Sequence, residues 1–341
     1  MYTVSSNRTE QGQTLPEDHT SKLDDEPVLM GYVQDFRDPD SIDYSSLSHV
    51  VFSFAHPEKD GSLTINDEMM VHLRKTVQHA KQEDTKVLLA VGGAIHVKGG
   101  SSYEYFKTAI KNPDSRLKLI EEIITTIEKE NLDGVDIDFE HPRSKEDAHY
   151  LAAFTQALGE QLQSNDKELS IAVHAKVHSE TGDEVKEVVY DSSMFQHVDY
   201  VNIMAYDGQW DSGYNAENLS PYPFAENVVN YWSSLFDKHG ISKSKLVLGV
   251  PSYAQPENEN DQQISYNAVI ENGSAYAERD SIRVNGTTYH YNGKETVRKK
   301  TNLALDSGFG GMMLWEIGHD AEGTHSLTSI IHREQRNRMA D

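Results

Sequence analysis

The amino-acid sequence predicts an α/β protein folded as a closed (β/α)8 barrel, and three observations carry that reading. Eight short runs of β-branched and apolar residues recur along the chain, and segments with helical spacing separate them. One stretch, Val135 to Glu140, alternates so strictly that one face is apolar and the other acidic. Runs alternating with helical segments argue for parallel strands joined by crossover helices. Eight of them suit a closed TIM barrel, whereas an open doubly wound sheet commonly has five or six.

In order, the runs are VLMGYV from Val28, HVVFSFA from His49, KVLLAV from Lys86, DGVDIDF from Asp133, LSIAVHA from Leu169, YVNIMAY from Tyr200, KLVLGV from Lys245 and GMMLW from Gly311. Between the third and fourth, Leu117, Ile120, Ile124 and Ile127 form a helical apolar stripe. After the fourth, Leu151, Phe154, Leu158 and Leu162 form another, and Ser144 with Asp147 reads as a capping box at its start. Residues 254–293 form a small insertion between the seventh and eighth runs. There, Tyr, Val and Thr flank Asn-Gly steps, which predicts a hairpin excursion rather than a second domain. The expected organisation is a polar, disordered segment over 1–26 followed by one (β/α)8 domain over 27–341.

Composition removes several classes of function. Lys and Arg total 31 against 55 Asp and Glu, and the net charge of −24 repels phosphate backbones and anionic lipid surfaces. No nucleic-acid partner is expected, while a neutral sugar is indifferent to such a field. No apolar run approaches the ~20 residues that a membrane span requires. Cysteine is absent, which excludes disulfides, thiolate metal sites and cysteine nucleophiles. The first residues lack the basic start and apolar core of an export signal. A secreted or cell-surface location is nonetheless expected, with a cytoplasmic one left open. Asn-x-Ser/Thr triplets at Asn7, Asn218, Asn272 and Asn285 are short enough to arise by chance.

On the fourth run, Val135, Ile137 and Phe139 should meet the ring of helices, which turns Asp136, Asp138 and Glu140 into the barrel. Residues two apart on a strand lie ~6.6 Å apart, so three like charges share one row. Chemistry in such barrels sits at the C-terminal ends of the strands. Glu140 is then at the mouth, Asp138 just below and Asp136 deeper. Burial and neighbouring negative charge should force at least one of them to hold a proton, and a carboxyl kept protonated is a general acid. The alternatives are a solvated acidic face and a divalent-cation site, but no second acidic cluster ends a neighbouring run. His174 and His178 are four apart, as zinc ligands on a helix would be, yet they lie in strand-like sequence. Neither a metal nor a cofactor is expected.

DGVDIDFE, Asp133 to Glu140, resembles the D-G-x-D-x-D-x-E signature of glycoside hydrolase family 18, the chitinase family, on the fourth barrel strand. MAYD, Met204 to Asp207, is similar to that family's M-x-Y-D after the sixth strand, and Trp315 to the tryptophan that ends the eighth. GYV from Gly31 and FSF from Phe52 resemble its first and second strands. The likeness, to a bacterial-type catalytic domain, spans about Pro27 to Arg333. It implies a retaining hydrolase of β-1,4 linkages between N-acetylglucosamine units of chitin or chito-oligosaccharides, in which the substrate's acetamido oxygen is the nucleophile.

By that resemblance Glu140 is the acid, Asp138 orients the acetamido group, and Asp136 shares a proton behind Asp138. Tyr206 would donate to the acetamido oxygen, and Trp315 would floor the scissile sugar. Met204 and Asp207 would line the same subsite and Trp210 the leaving-group side, while Tyr32 and Phe54 would either bind the sugar or simply fill the barrel. Where the family commonly has S-x-G-G after the third strand, this chain has AVGG from Ala90, which should leave Asp136 one donor short. Ala94 follows, where tryptophan is common, which suggests a plainer subsite wall. Only three tryptophans and no recognisable carbohydrate-binding module favour soluble or loosened chains over crystalline chitin. Rival readings are an endo-β-N-acetylglucosaminidase acting on N-glycan cores and a non-hydrolytic chitin-binding lectin. A monomer is expected.

Overall fold

Eight strands pair in parallel and close on themselves in the computed structural model, which describes residues 26–340. They are β1 (Val28–Gln34), β2 (His49–Pro57), β3 (Lys86–Gly92), β4 (Gly134–Asp138), β5 (Glu168–His174), β6 (Tyr200–Met204), β7 (Leu246–Pro251) and β8 (Gly311–Trp315). Each pairs with its sequence neighbours, and β1 with β8 closes the barrel. The expected segment 1–26 lies, except for Glu26, outside the described residues, as does Asn7.

The barrel is wrapped by α1 (Asp67–Ala80), α2 (Tyr103–Lys111), α3 (Pro113–Glu130), α4 (Lys145–Ser164), α5 (Tyr222–His239), α7 (Lys294–Asp306) and α8 (Leu327–Ala340), while α6 (Tyr266–Glu271) lies in the excursion after β7 and packs on its strands. The connections β1 to β2 and β5 to β6 contain only single turns of 3-10 helix, Pro39–Ser41 and Ser192–Gln196, among their described elements. The Ser144 hydroxyl caps α4 by accepting the Asp147 N–H at 3.1 Å. The return half of the predicted box is different, because the Asp147 carboxylate accepts from Arg143 N and Tyr103 OH instead.

Two apolar layers follow from strand alternation. Val135, Ile137 and Phe139 face the helices, with Leu151, Phe154, Leu158 and Leu162 of α4 in the same core. On α3 the buried face is Leu119, Ile120, Ile123 and Ile127, whereas Leu117 is 52% exposed. Of the predicted stripe, Ile124 packs half-buried against the same core, and only Leu117 stands away from it. Both sets fit a helical period, and the neighbouring helices α2 and α4 decide between them. The barrel lumen holds Val28, Met30, Tyr32, Val51, Leu88, Ala90, Val247 and Met313.

After β7 the chain leaves the barrel and builds a small antiparallel sheet from Tyr253–Pro256, Ile264–Ser265, Ser281–Val284 and Thr287–His290. The last two are joined by Asn285-Gly286, both at positive φ (49° and 91°), the geometry of a two-residue hairpin turn. Close approach fixes Gly92 at the end of β3. Its φ is 127°, and a Cβ there would lie 2.0 Å from the Asp138 carbonyl oxygen.

Candidate active site

Register places the acidic row. Asp136 lies opposite Ala90 on β3 and opposite Ser170 on β5, so any hydrogen bond to its carboxylate from a neighbouring strand must come from the β5 side. Ser170 Oγ donates to Asp136 Oδ1 at 2.5 Å and Asn202 Nδ2 donates to the same oxygen at 3.1 Å. Tyr32 OH donates to Oδ2 at 2.9 Å and itself accepts from Asn202 Nδ2 at 2.9 Å. Asp136 is completely buried. Burial pushes its carboxyl up to about 6, against the opposing pull of Ser170, Tyr32 and Asn202.

Asp138, 3% exposed, interacts with the Glu140 carboxyl, and its Oδ1 has no hydrogen-bond partner among the described residues. Burial first, then the charges of Glu140 and Asp136, holds the Asp138 carboxyl well above the ordinary range. Glu140 stands just past β4 with its side chain 23% exposed at the mouth. Burial lifts it to about 7, the charge of Asp207 adding to the rise and the interaction with Asp138 opposing it. Two carboxyls that interact in so buried a site titrate as a unit rather than one by one. The imidazoles nearby do not neutralise it. His141 and His174, with ring centroids 5.0 Å apart, are pushed down to about 3 and about 4, chiefly by burial, and are neutral.

The mouth is a cleft of about 340 Å³ whose walls include Tyr32, Phe54, Asp138, Glu140, Met204, Tyr206, Asp207 and Trp315. The Trp315 indole packs against Phe54 (centroids 5.7 Å, 28° between planes) and Tyr32 (5.6 Å), which presents a broad apolar surface beside the carboxyls. Tyr206 OH has a thioether, Met313 Sδ at 3.9 Å, as its hydrogen-bond acceptor. Gly249 makes room for both, since a Cβ there would sit 2.6 Å from Met313 Cε and 2.9 Å from Tyr206 Cε1. Asp207, in the left-handed region at φ 61°, accepts from Tyr253 OH at 2.6 Å and Gln209 Nε2 at 3.2 Å. Trp210 is elsewhere. It is 57% exposed and packs on Tyr214 at 4.7 Å, outside the cleft walls.

Several groups at this site were not singled out from the sequence: Ser170, Asn202 and Tyr253 as partners, and Gln34, Asp35, His56 and Ile95 as further walls. A signal for two of them existed. Ser170 and Asn202 interrupt apolar runs, and Asn202 shares a strand face with Met204. His174 and His178 are not placed as a metal pair, because His174 Nδ1 accepts the Lys176 N–H at 2.9 Å. Among the described residues, no three His, Cys, Asp or Glu side chains are grouped to hold a metal ion.

The fold and the site thus define a (β/α)8 barrel with a carboxyl-lined cleft at the C-terminal ends of its strands, the end at which this architecture carries chemistry. Residues 28–320 match the family described as Glycosyl hydrolases family 18, and the chain belongs to it. It is 26% identical over 236 residues to human Chitinase-3-like protein 2, a match covering 63% of this chain and 57% of that protein's length. It is 22% identical over 352 residues to Chitinase 1 of Aphanocladium album, covering 86% and 81% of the two chains. Among solved structures, the GH18 chitinase ChiB of Flavobacterium johnsoniae superposes with a TM-score of 0.76 at 24% identity, over 92% of this chain and 95% of that one.

Proposed function

We propose that this protein hydrolyses β-1,4 linkages between N-acetylglucosamine units of chitin or its oligosaccharides, with retention of configuration and with the substrate's own acetamido group as nucleophile. The observation that carries the reading is the placement of Asp138 and Glu140 together in the cleft wall beside Tyr206, Asp207 and Trp315, two carboxyls that burial lifts toward neutrality. Glu140 gives its proton to the glycosidic oxygen as the acetamido oxygen closes on the anomeric carbon. Asp138 turns to the acetamido N–H, orients that group and balances the positive charge of the oxazolinium-like intermediate. Tyr206, whose hydroxyl has only a weak sulfur acceptor in the free cleft, donates to the acetamido oxygen and holds it in line. Water, deprotonated by Glu140, then attacks the anomeric carbon from the face that the leaving group vacated, opposite the acetamido oxygen, and the bond from that carbon to the acetamido oxygen breaks. Trp315 supports the apolar side of the scissile sugar, with Met204 and Asp207 beside it.

Chitotetraose, with products followed by anomeric configuration, tests this. Newly released reducing ends in the β configuration are expected. Release in the α configuration, or equal cleavage of an oligomer lacking the acetyl group on the scissile unit, would overturn the mechanism. A high-mannose glycopeptide run in parallel separates chitin from N-glycan cores.

A further inference from the structure

We propose that Lys300, a buried lysine remote from the carboxyls, is a positioning residue that holds Tyr206 in place through Ser220 and the backbone of Ala205. This inference rests on the functional reading given above. Lys300 lies on α7 and is 0% exposed. Its Nζ donates to Ser220 O, Ser220 Oγ and Asn292 Oδ1 at 2.5 to 2.6 Å. An ammonium has three N–H donors, and here each finds an oxygen. The neutral amine would leave one acceptor facing a lone pair, so the site is built for the cation although burial pushes the group down to about 7.

The three contacts gather separate segments. Ser220 ends the loop that follows β6, and its hydroxyl donates onward to Ala205 O at 2.6 Å. Ala205 begins that loop and precedes Tyr206 directly. Asn292 closes the excursion after β7, and its amide donates to Ser220 O at 2.9 Å. The loop that carries Tyr206 and Asp207 is therefore clamped where it leaves and where it returns, and the clamp converges on one ammonium. Ser220 is 1% exposed and Asn292 4%, so water does not compete for these bonds. Truncating the amine leaves Ser220 Oγ and Asn292 Oδ1 without this buried donor and so loosens the Ser220 hydroxyl that holds the Ala205 carbonyl.

The test is a double-mutant cycle on chitotetraose with Lys300→Met and Tyr206→Phe. Lys300→Met alone should lower kcat about tenfold with KM changed less than about twofold, because a misplaced Tyr206 affects the transition state more than ground-state binding. In the Tyr206→Phe background the same change should cost little more. Losses that multiply, or an unchanged kcat, would overturn the proposal. Ser220→Ala cuts the chain one link further on and leaves the ammonium in place. It should reproduce the kcat loss, and normal turnover in it would also overturn the proposal. Hydrogen exchange of the segment 205–219 supplies a readout independent of activity. Faster exchange in both variants is expected, and unchanged protection would sink the clamp. If the unmodified protein cleaves no chitotetraose, the functional reading fails by itself, while exchange still judges Lys300.

Discussion

Ser170 reaches Asp136 from the side of β4 opposite Ala90, supplying from β5 a hydroxyl that β3 does not carry. The donor expected to be missing has a counterpart on the other neighbouring strand. Ser170→Ala should push the Asp136 carboxyl still higher, because Ser170 is first among the groups that lower it. A loss of about 1 kcal/mol of hydrogen bonding corresponds to roughly a fivefold fall in kcat if it is felt in the transition state. Adding Ala90→Ser should recover part of that loss, as steady-state rates on chitotetraose would record. No recovery would mean that only the β5 side can serve Asp136.

Glu140→Gln should remove the proton donor and lower turnover by at least about a thousandfold while oligosaccharide binding persists, measurable by calorimetry beside a rate assay. Unchanged hydrolysis would remove Glu140 from its role.

The same substitution has a stability signature. Glu140 is lifted from an ordinary 4.5 to about 7, so the native state keeps a proton that the unfolded chain releases between those values. Stability from this group is therefore lost as pH rises through that window. Glu140→Gln should be more stable than the parent at pH 8 by about 3 kcal/mol, with the difference vanishing near pH 4 where both states are mostly protonated. Denaturant melts at the two values check the sign.

In the unmodified protein, kcat/KM should show an alkaline limb near pH 7, since the acid must be protonated to act. The apparent value belongs to the Asp138–Glu140 pair rather than to either residue. A profile flat from pH 6 to 9 would contradict the proton-sharing arrangement.

Tyr206→Phe removes a hydroxyl with little else to bind, so folding should be almost unaffected while kcat falls about a hundredfold, as for loss of one oriented donor. Thermal melts beside turnover separate the two effects.

Much of this was legible in the sequence because strand periodicity is a local property. Val135, Ile137 and Phe139 needed only their own alternation to be assigned to the helix side. The partners of Asp136 were not legible in that way. Ser170 and Asn202 lie 34 and 66 positions along the chain from it, and which strand face meets which depends on register across the barrel. Helix faces were ambiguous for a related reason, since Leu117 and Leu119 both fit the period of α3 and packing chose the second. The excursion carried a strong signal, Asn285-Gly286, because a turn needing two positive φ angles restricts residue type more than most loops do.

Gln335, near the end of α8, donates its side-chain amide to the carbonyl of Val28 at the start of β1. The last helix and the first strand therefore meet beneath the barrel, at the pole opposite the cleft. A fluorophore or a solid support attached near that contact would leave the carboxyl-lined mouth facing outward, so the protein can be held by that pole with its cleft open.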